Sequence, residues 1–137
     1  MSRSEVLAFF ERYRAAFDAL DGDAVADLWH SPSAISDART DTVWLDDAPM
    51  RANHRALCAA YRKGGYHRAE FALLQHEPLG PDHAFAHLRW TLRRADGSVL
   101  QRFGTGYQLR RTAAGPKVLL CAAYEEDLEE MKRHAAQ

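Results

Sequence analysis

Between residues 6 and 20 the apolar positions return every three or four residues, and Val6, Phe10, Tyr13, Phe17 and Leu20 share one stripe. That spacing predicts an amphipathic helix. Ser2 and Glu5 stand ahead of it at capping-box spacing, and Asp21-Gly22 ends it. Asp23 is placed to cap a second, short helix with Val25, Leu28 and Trp29 on its apolar face. His30-Ser31-Pro32 stops that helix, because the residue before a proline is pushed out of the α region. Residues 34–37 and 42–46, with a polar turn between them, read as a short hairpin that includes Trp44. A third helix starts near Asp47, since Pro49 is tolerated only in a first turn. Its stripe is Met50, His54, Leu57, Cys58 and Tyr61, and Gly64-Gly65 closes it.

From Tyr66 onward the period changes to two. Strands are expected over 68–77, 83–94, 100–111 and 117–124. Pro78, Gly80 and Pro81 break the first pair, Asp96-Gly97 is a strong hairpin turn, and residues 113–116 make the last turn. With Asp96-Gly97 central in its turn, Trp90 faces Phe103, Leu88 faces Thr105, and Ala86 faces Tyr107. The inner rows are then Ala84, Ala86, Leu88, Trp90 and Leu92 on one strand and Phe103, Thr105, Tyr107 and Leu109 on the next. The same logic gives Val118, Leu120, Ala122 and Tyr124 on the last strand, and Phe71, Leu73 and Gln75 on the first. The tail over 125–134 is acidic then basic, which suits a helix dipole. Helices first and an antiparallel sheet after, with no repeat or linker, make a single α+β domain over 1–137.

Composition narrows the function classes. A net charge of −1 gives no electrostatic footprint for nucleic acid or an acidic membrane. No apolar run is long enough to span a bilayer, and residues 1–4 lead into a helix without a signal-peptide core. The expectation is a cytoplasmic protein. Cys58 and Cys121 lie far apart with no paired spacing, so they read as free thiols and not as a zinc site or disulfide framework. His83 and His87 would share a site on a helix, but on a strand they stand about 13 Å apart. Gly104-Thr105-Gly106 lies inside a strand and lacks phosphate-loop spacing; its glycines fit sheet curvature or close packing by another chain. No metal ligand set and no cofactor motif is therefore expected.

The inner face is aromatic but not dry. Gln75, Thr105, Tyr107 and Tyr124 lie among apolar groups, as in small-molecule pockets. The candidate lining is Trp90, Phe103, Thr105, Tyr107 and Tyr124 on the sheet and Tyr13, Phe17, His54 and Tyr61 on the helices. His30 and Trp44 complete the candidate set. His54, on an apolar stripe, reads either as a proton shuttle with Asp37 or as a satisfied core residue.

The order of elements, with Phe9-Phe10 through Asp23, Leu28-Trp29 and the late run Val118-Leu119-Leu120, resembles the nuclear transport factor 2-like superfamily, which includes ketosteroid isomerase-like and SnoaL-like proteins. The resemblance spans nearly the whole chain and implies a cone-shaped fold, helices packed on a curved, mainly antiparallel sheet around a pocket. A closer local resemblance, to the ketosteroid isomerase segment, runs from Gly22-Asp23-Ala24-Val25 through Leu28-Trp29 to Ser33-Ala34-Ile35-Ser36-Asp37. It implies Asp37 as general base, and the similarity of the C-terminal hairpins implies Tyr107 as hydrogen-bond donor to a developing enolate. Ala38 follows Asp37 where that segment commonly has proline, and Tyr13 is offset from the family's donor tyrosine on the first helix. The implied ligand is a small, mostly apolar carbonyl compound handled by isomerase, cyclase or dehydratase chemistry without metal or nucleotide. The alternative is a non-catalytic binding or assembly module in which Asp37 and Tyr107 are structural, Asp37 capping its own turn. The resemblance also implies a homodimer through the outer sheet face, where Phe85, Leu100 and Leu119 are expected.

Overall fold

The computed structural model describes residues 1–126. Helix α1 (Arg3–Asp18) starts with both halves of the Ser2/Glu5 capping box formed and buries Val6, Phe9, Phe10, Tyr13 and Ala16. Helix α2 (Gly22–Ala26) is capped by Asp21, whose carboxylate accepts the Ala24 N–H at 3.0 Å, and not by Asp23. Asp23 instead faces Arg51 and Arg55. Trp29 is not on this helix. It opens strand β1 (Trp29–Ser36), which pairs antiparallel with β2 (Asp41–Trp44). Helix α3 (Asp47–Lys63) buries Met50, His54, Cys58 and Tyr61 on one stripe. Its Arg51 holds α2 in place, donating to Asp27 and Asp47 at 2.8 Å and to the Asp23 carbonyl at 3.0 Å.

The long strands follow: β3 (Tyr66–Leu79), β4 (His83–Arg94), β5 (Val99–Thr112) and β6 (Gly115–Tyr124). The sheet is six-stranded in the order β2-β1-β6-β5-β4-β3. The β1–β6 pair is parallel, so the sheet is mixed. Asp18 ties the end of α1 to the start of β3, accepting from the Tyr66 hydroxyl at 2.7 Å and the Ala69 N–H at 2.9 Å.

The β4–β5 ladder pairs Trp90 with Phe103, Leu88 with Thr105 and Ala86 with Tyr107, as the turn residues require. Elsewhere single extra residues reset the alternation. On β3 the register shifts between Leu73 and Gln75, which puts Gln75 opposite outward-facing His87 and leaves it exposed. Gln75 is therefore not part of the inner row. On β5 the shift near Val99 carries Leu100 into the core rather than onto the outer face. On β6 Leu109 pairs with Val118 but Gln108 pairs with Leu120, so Leu119 is the extra residue. Every later side chain on β6 is thereby turned over. Cys121 and Ala123 face in, while Leu120 and Tyr124, at 42% and 38% exposure, face out. Tyr124 lies over Gly104, where any Cβ would collide with its ring, and its hydroxyl meets His87. The glycine thus accommodates a side chain of its own chain. Among the described residues no helix is long and apolar enough to cross a membrane. The expected terminal helix over 125–134 lies almost wholly outside the described residues.

Candidate functional site

Helices α1 and α3 and the inner face of the sheet enclose a cavity of about 680 Å³. Four of its walls follow from the periodicities above. Tyr13 and Phe17 come from α1; His54, Leu57 and Tyr61 from α3; Trp90 and Leu92 from β4; and Phe103, Thr105 and Tyr107 from β5. Trp29 and Ile35 from β1 and Cys121 and Ala123 from β6 complete the surround. Asp37, Arg39, Thr40 and Glu126 lie on the segments that follow β1 and β6.

The polar groups in the wall are arranged in pairs. Trp29 donates its indole N–H to the Tyr13 hydroxyl at 3.2 Å, and Trp90 donates to the Thr105 hydroxyl at 3.0 Å. Tyr107 is buried against Phe10, with ring centroids 4.8 Å apart, and beside Tyr13 at 5.8 Å. Burial pushes the Tyr13, Tyr61 and Tyr107 hydroxyls well above the usual phenol range, so all three hold their protons. Cys121 is pushed up to about 12, by burial first and by the Glu126 charge second. A thiol in that state is a poor nucleophile.

His54 differs from these. It is 1% exposed, and neither ring nitrogen has a hydrogen-bond partner among the described residues. Trp29 and Trp44 flank its ring at 4.5 and 6.0 Å. Burial, and then the charge of Arg51, lower it to about 4, so it is neutral at physiological pH.

The charged groups sit together at the mouth. Asp37 follows β1 and accepts the backbone N–H groups of Arg39 and Thr40 at 2.8 and 2.9 Å, with the Arg39 guanidinium at 3.3 Å from its other oxygen. It caps its turn and lines the cavity at once. Glu126 is half-buried, and burial followed by the neighbouring Asp37 charge raises it above the ordinary carboxylate range. The sequence reading missed Glu126, and the backbone shows why. Glu125 has φ of +59°, which breaks the strand alternation. Glu125 consequently pairs with Arg89, whereas Glu126 lines the cavity.

Of the expected site residues, Asp37, Tyr107, Tyr13, Phe17, His54, Tyr61, Trp90, Phe103 and Thr105 come together around the cavity. Three do not. Tyr124 is on the outer face because of the extra residue on β6. His30 lies in β1, and its Nδ1 stands 3.1 Å from the Pro32 carbonyl oxygen, away from the lining. Trp44 is buried one layer back, edge-on to Trp29 and beside His54, so it supports the wall without forming it.

A family model described as NTF2-like protein (DUF6841) matches residues 4–126. No curated protein matches the chain. Among solved structures, the fold is similar to that of a ketosteroid isomerase-like protein from Erwinia carotovora atroseptica, with a TM-score of 0.66 at 16% identity over 90% of this chain and 95% of that one. It is also similar to an NTF2-like protein of unknown function from Shewanella oneidensis, with a TM-score of 0.69 at 11% identity over 91% and 100% of the two chains. An NTF2-like protein with a cystatin-like fold from Novosphingobium aromaticivorans gives 0.64 at 21% identity over 98% and 88%. At these identities the likeness is one of fold.

Proposed function

The chain belongs to the NTF2-like family, and from that premise we propose that its cavity binds one mostly apolar, carbonyl-bearing small molecule and moves a proton on it by acid–base chemistry. The observation that carries this reading is the meeting, in one apolar cavity, of two carboxylates with phenol groups that keep their protons. Abstracting a proton next to a carbonyl needs a base that can hold that proton in a poorly solvated site, and a donor for the oxygen that becomes negative. Glu126, raised by burial and by Asp37, has the first property. Tyr107 and Tyr13 have the second, since an O–H that does not ionise can still donate. Isomerisation, cyclisation and dehydration all use this pair of functions.

A second reading, ligand binding without chemistry, is favoured by the bonds of Asp37. Three donors already occupy its oxygens, which gives it a structural task independent of any substrate. One experiment separates the two. Apolar ketones, steroids and polyketide fragments are screened by thermal shift and product detection on the parent, Asp37→Asn and Glu126→Gln. Stabilisation of all three proteins with turnover lost in Glu126→Gln supports proton transfer. Stabilisation without turnover in the parent supports binding alone.

The outer face, where Leu119, Leu120 and Tyr124 join Phe85, is the surface we propose for a homodimer. Light scattering on the parent and Leu120→Lys tests it, with a monomeric variant expected.

A further inference from the structure

The His54 imidazole is out of place as a packing residue. Met50 and Cys58, its neighbours on the α3 stripe, fill the same layer with apolar or weakly polar atoms. His54 brings two strongly polar nitrogens to a position that is 1% exposed, and gives neither a partner among the described residues. The rings that hold it contribute nothing polar in return. The indole N–H of Trp29 is already donated to Tyr13. Leaving such a group unpaired works against folding, and a leucine of similar volume would avoid the cost. The ring does, however, line the cavity.

Resting on the reading that this cavity holds a small molecule, we propose that His54 is the anchor for a hydroxyl group carried on the ligand's apolar ring system. The chemistry of the ring selects the group. A neutral imidazole has one N–H donor and one lone-pair acceptor. A hydroxyl both donates and accepts, so it can pair with either ring nitrogen in either tautomer. A carboxylate would need the imidazolium form, which burial and the nearby Arg51 charge both oppose. A carbonyl can only accept, and phenol donors for it already stand on α1 and β5. The ligand class that follows is a ring alcohol or phenol, held at the hydroxyl by α3 while its other end reaches the mouth.

The test uses probes that differ only in that group: 2-naphthol against 2-methylnaphthalene, and 4-cyclohexylphenol against 4-cyclohexyltoluene. Affinities are measured on the parent, His54→Leu and His54→Asn, together with the melting temperature of each unliganded protein. The parent is expected to prefer the hydroxyl member by about tenfold, the worth of one buried hydrogen bond. In His54→Leu that preference falls to about one while the hydrocarbon binds unchanged, and the unliganded variant melts no lower than the parent. His54→Asn, which keeps a donor and an acceptor, retains part of the preference. Four results would overturn the proposal: equal affinity of the parent for both members, a hydroxyl preference that survives in His54→Leu, a fall in its melting temperature, or an ordered water only on the ring in a crystal of the parent with 2-naphthol. If the parent binds none of the four probes, the pocket reading itself fails along with it.

Discussion

Along the α3 side of the cavity His54 is enclosed by Trp29 and Trp44, is neutral, and has no polar partner among the described residues. At the mouth Asp37 carries a charge, accepts three donors, and shares its surroundings with Arg39 and Glu126. Both regions are polar, yet each handles polarity differently. Deep in the wall there is little solvent to compensate a charge, so burial removes the charge by shifting the group's proton equilibrium. At the mouth, backbone donors and a guanidinium compensate one carboxylate, and that carboxylate then perturbs the next. The wall keeps its polar groups neutral, whereas the mouth keeps charged groups that perturb one another.

The largest effect comes from removing a large, well-packed side chain of the wall. Trp90 touches Phe10, Tyr13 and Phe71 and donates to Thr105. Trp90→Ala is expected to cost about 3–5 kcal/mol of unfolding free energy in a urea titration. A loss under roughly 1 kcal/mol would mean that the wall collapses into the space and is not the rigid partner of the mouth. Next is the pH dependence that His54 imposes. Its folded value of about 4 lies below the ordinary 6.5, so between those pH values the unfolded chain binds more protons and stability rises with pH. The drop on acidification through this window is on the order of 3 kcal/mol for a shift of that size. Urea titrations from pH 7 to pH 4 on the parent and His54→Leu isolate it, because the other titrating groups are common to both. Parallel curves would erase the contrast between wall and mouth.

How much of this was legible in the sequence differs between the same two regions. The wall was readable because helical stripes and the Asp96-Gly97 turn fix which side chains share a face. Tyr13, Phe17, His54, Tyr61 and Trp90 fall around the cavity for that reason. The alternation fails where a single residue is added, and apolar patterning does not mark the insertion. Val118-Leu119-Leu120-Cys121 reads equally well in either phase, so the extra Leu119 that sends Tyr124 out and Cys121 in left no signal. The positive φ at Glu125 is similarly silent, because glutamate rarely adopts it. The place of Asp37 was legible, but its three turn bonds were expected only as an alternative to the catalytic role. In the structure this carboxylate caps its turn and lines the cavity as well.

At the mouth the expected effects are smaller and separate structure from chemistry. Asp37→Ala removes the acceptor for two backbone N–H groups and is expected to cost about 1 kcal/mol, as for loss of a cap. Asp37→Asn keeps a side-chain oxygen for those donors and should stay within about 0.5 kcal/mol of the parent. If both substitutions cost the same, the charge and not the turn is what the position needs.

Glu126→Gln has the smallest effect and the most telling sign. The folded value of this carboxylate is raised, so above its ordinary 4.5 the folded chain binds more protons than the unfolded one. Its contribution to stability therefore falls as pH rises, opposite in direction to that of His54. Because the group is only half-buried, solvent screening keeps the change to a few tenths of a kcal/mol, and the variant is expected to gain that amount at neutral pH. Subtracting variant curves from the parent curve should thus give two slopes of opposite sign, rising for the wall histidine and falling for the mouth carboxylate. A Glu126→Gln protein that is less stable than the parent at pH 7 would show that the carboxylate is held by a favourable partner. The mouth would then bind and orient, and proton transfer would need another group.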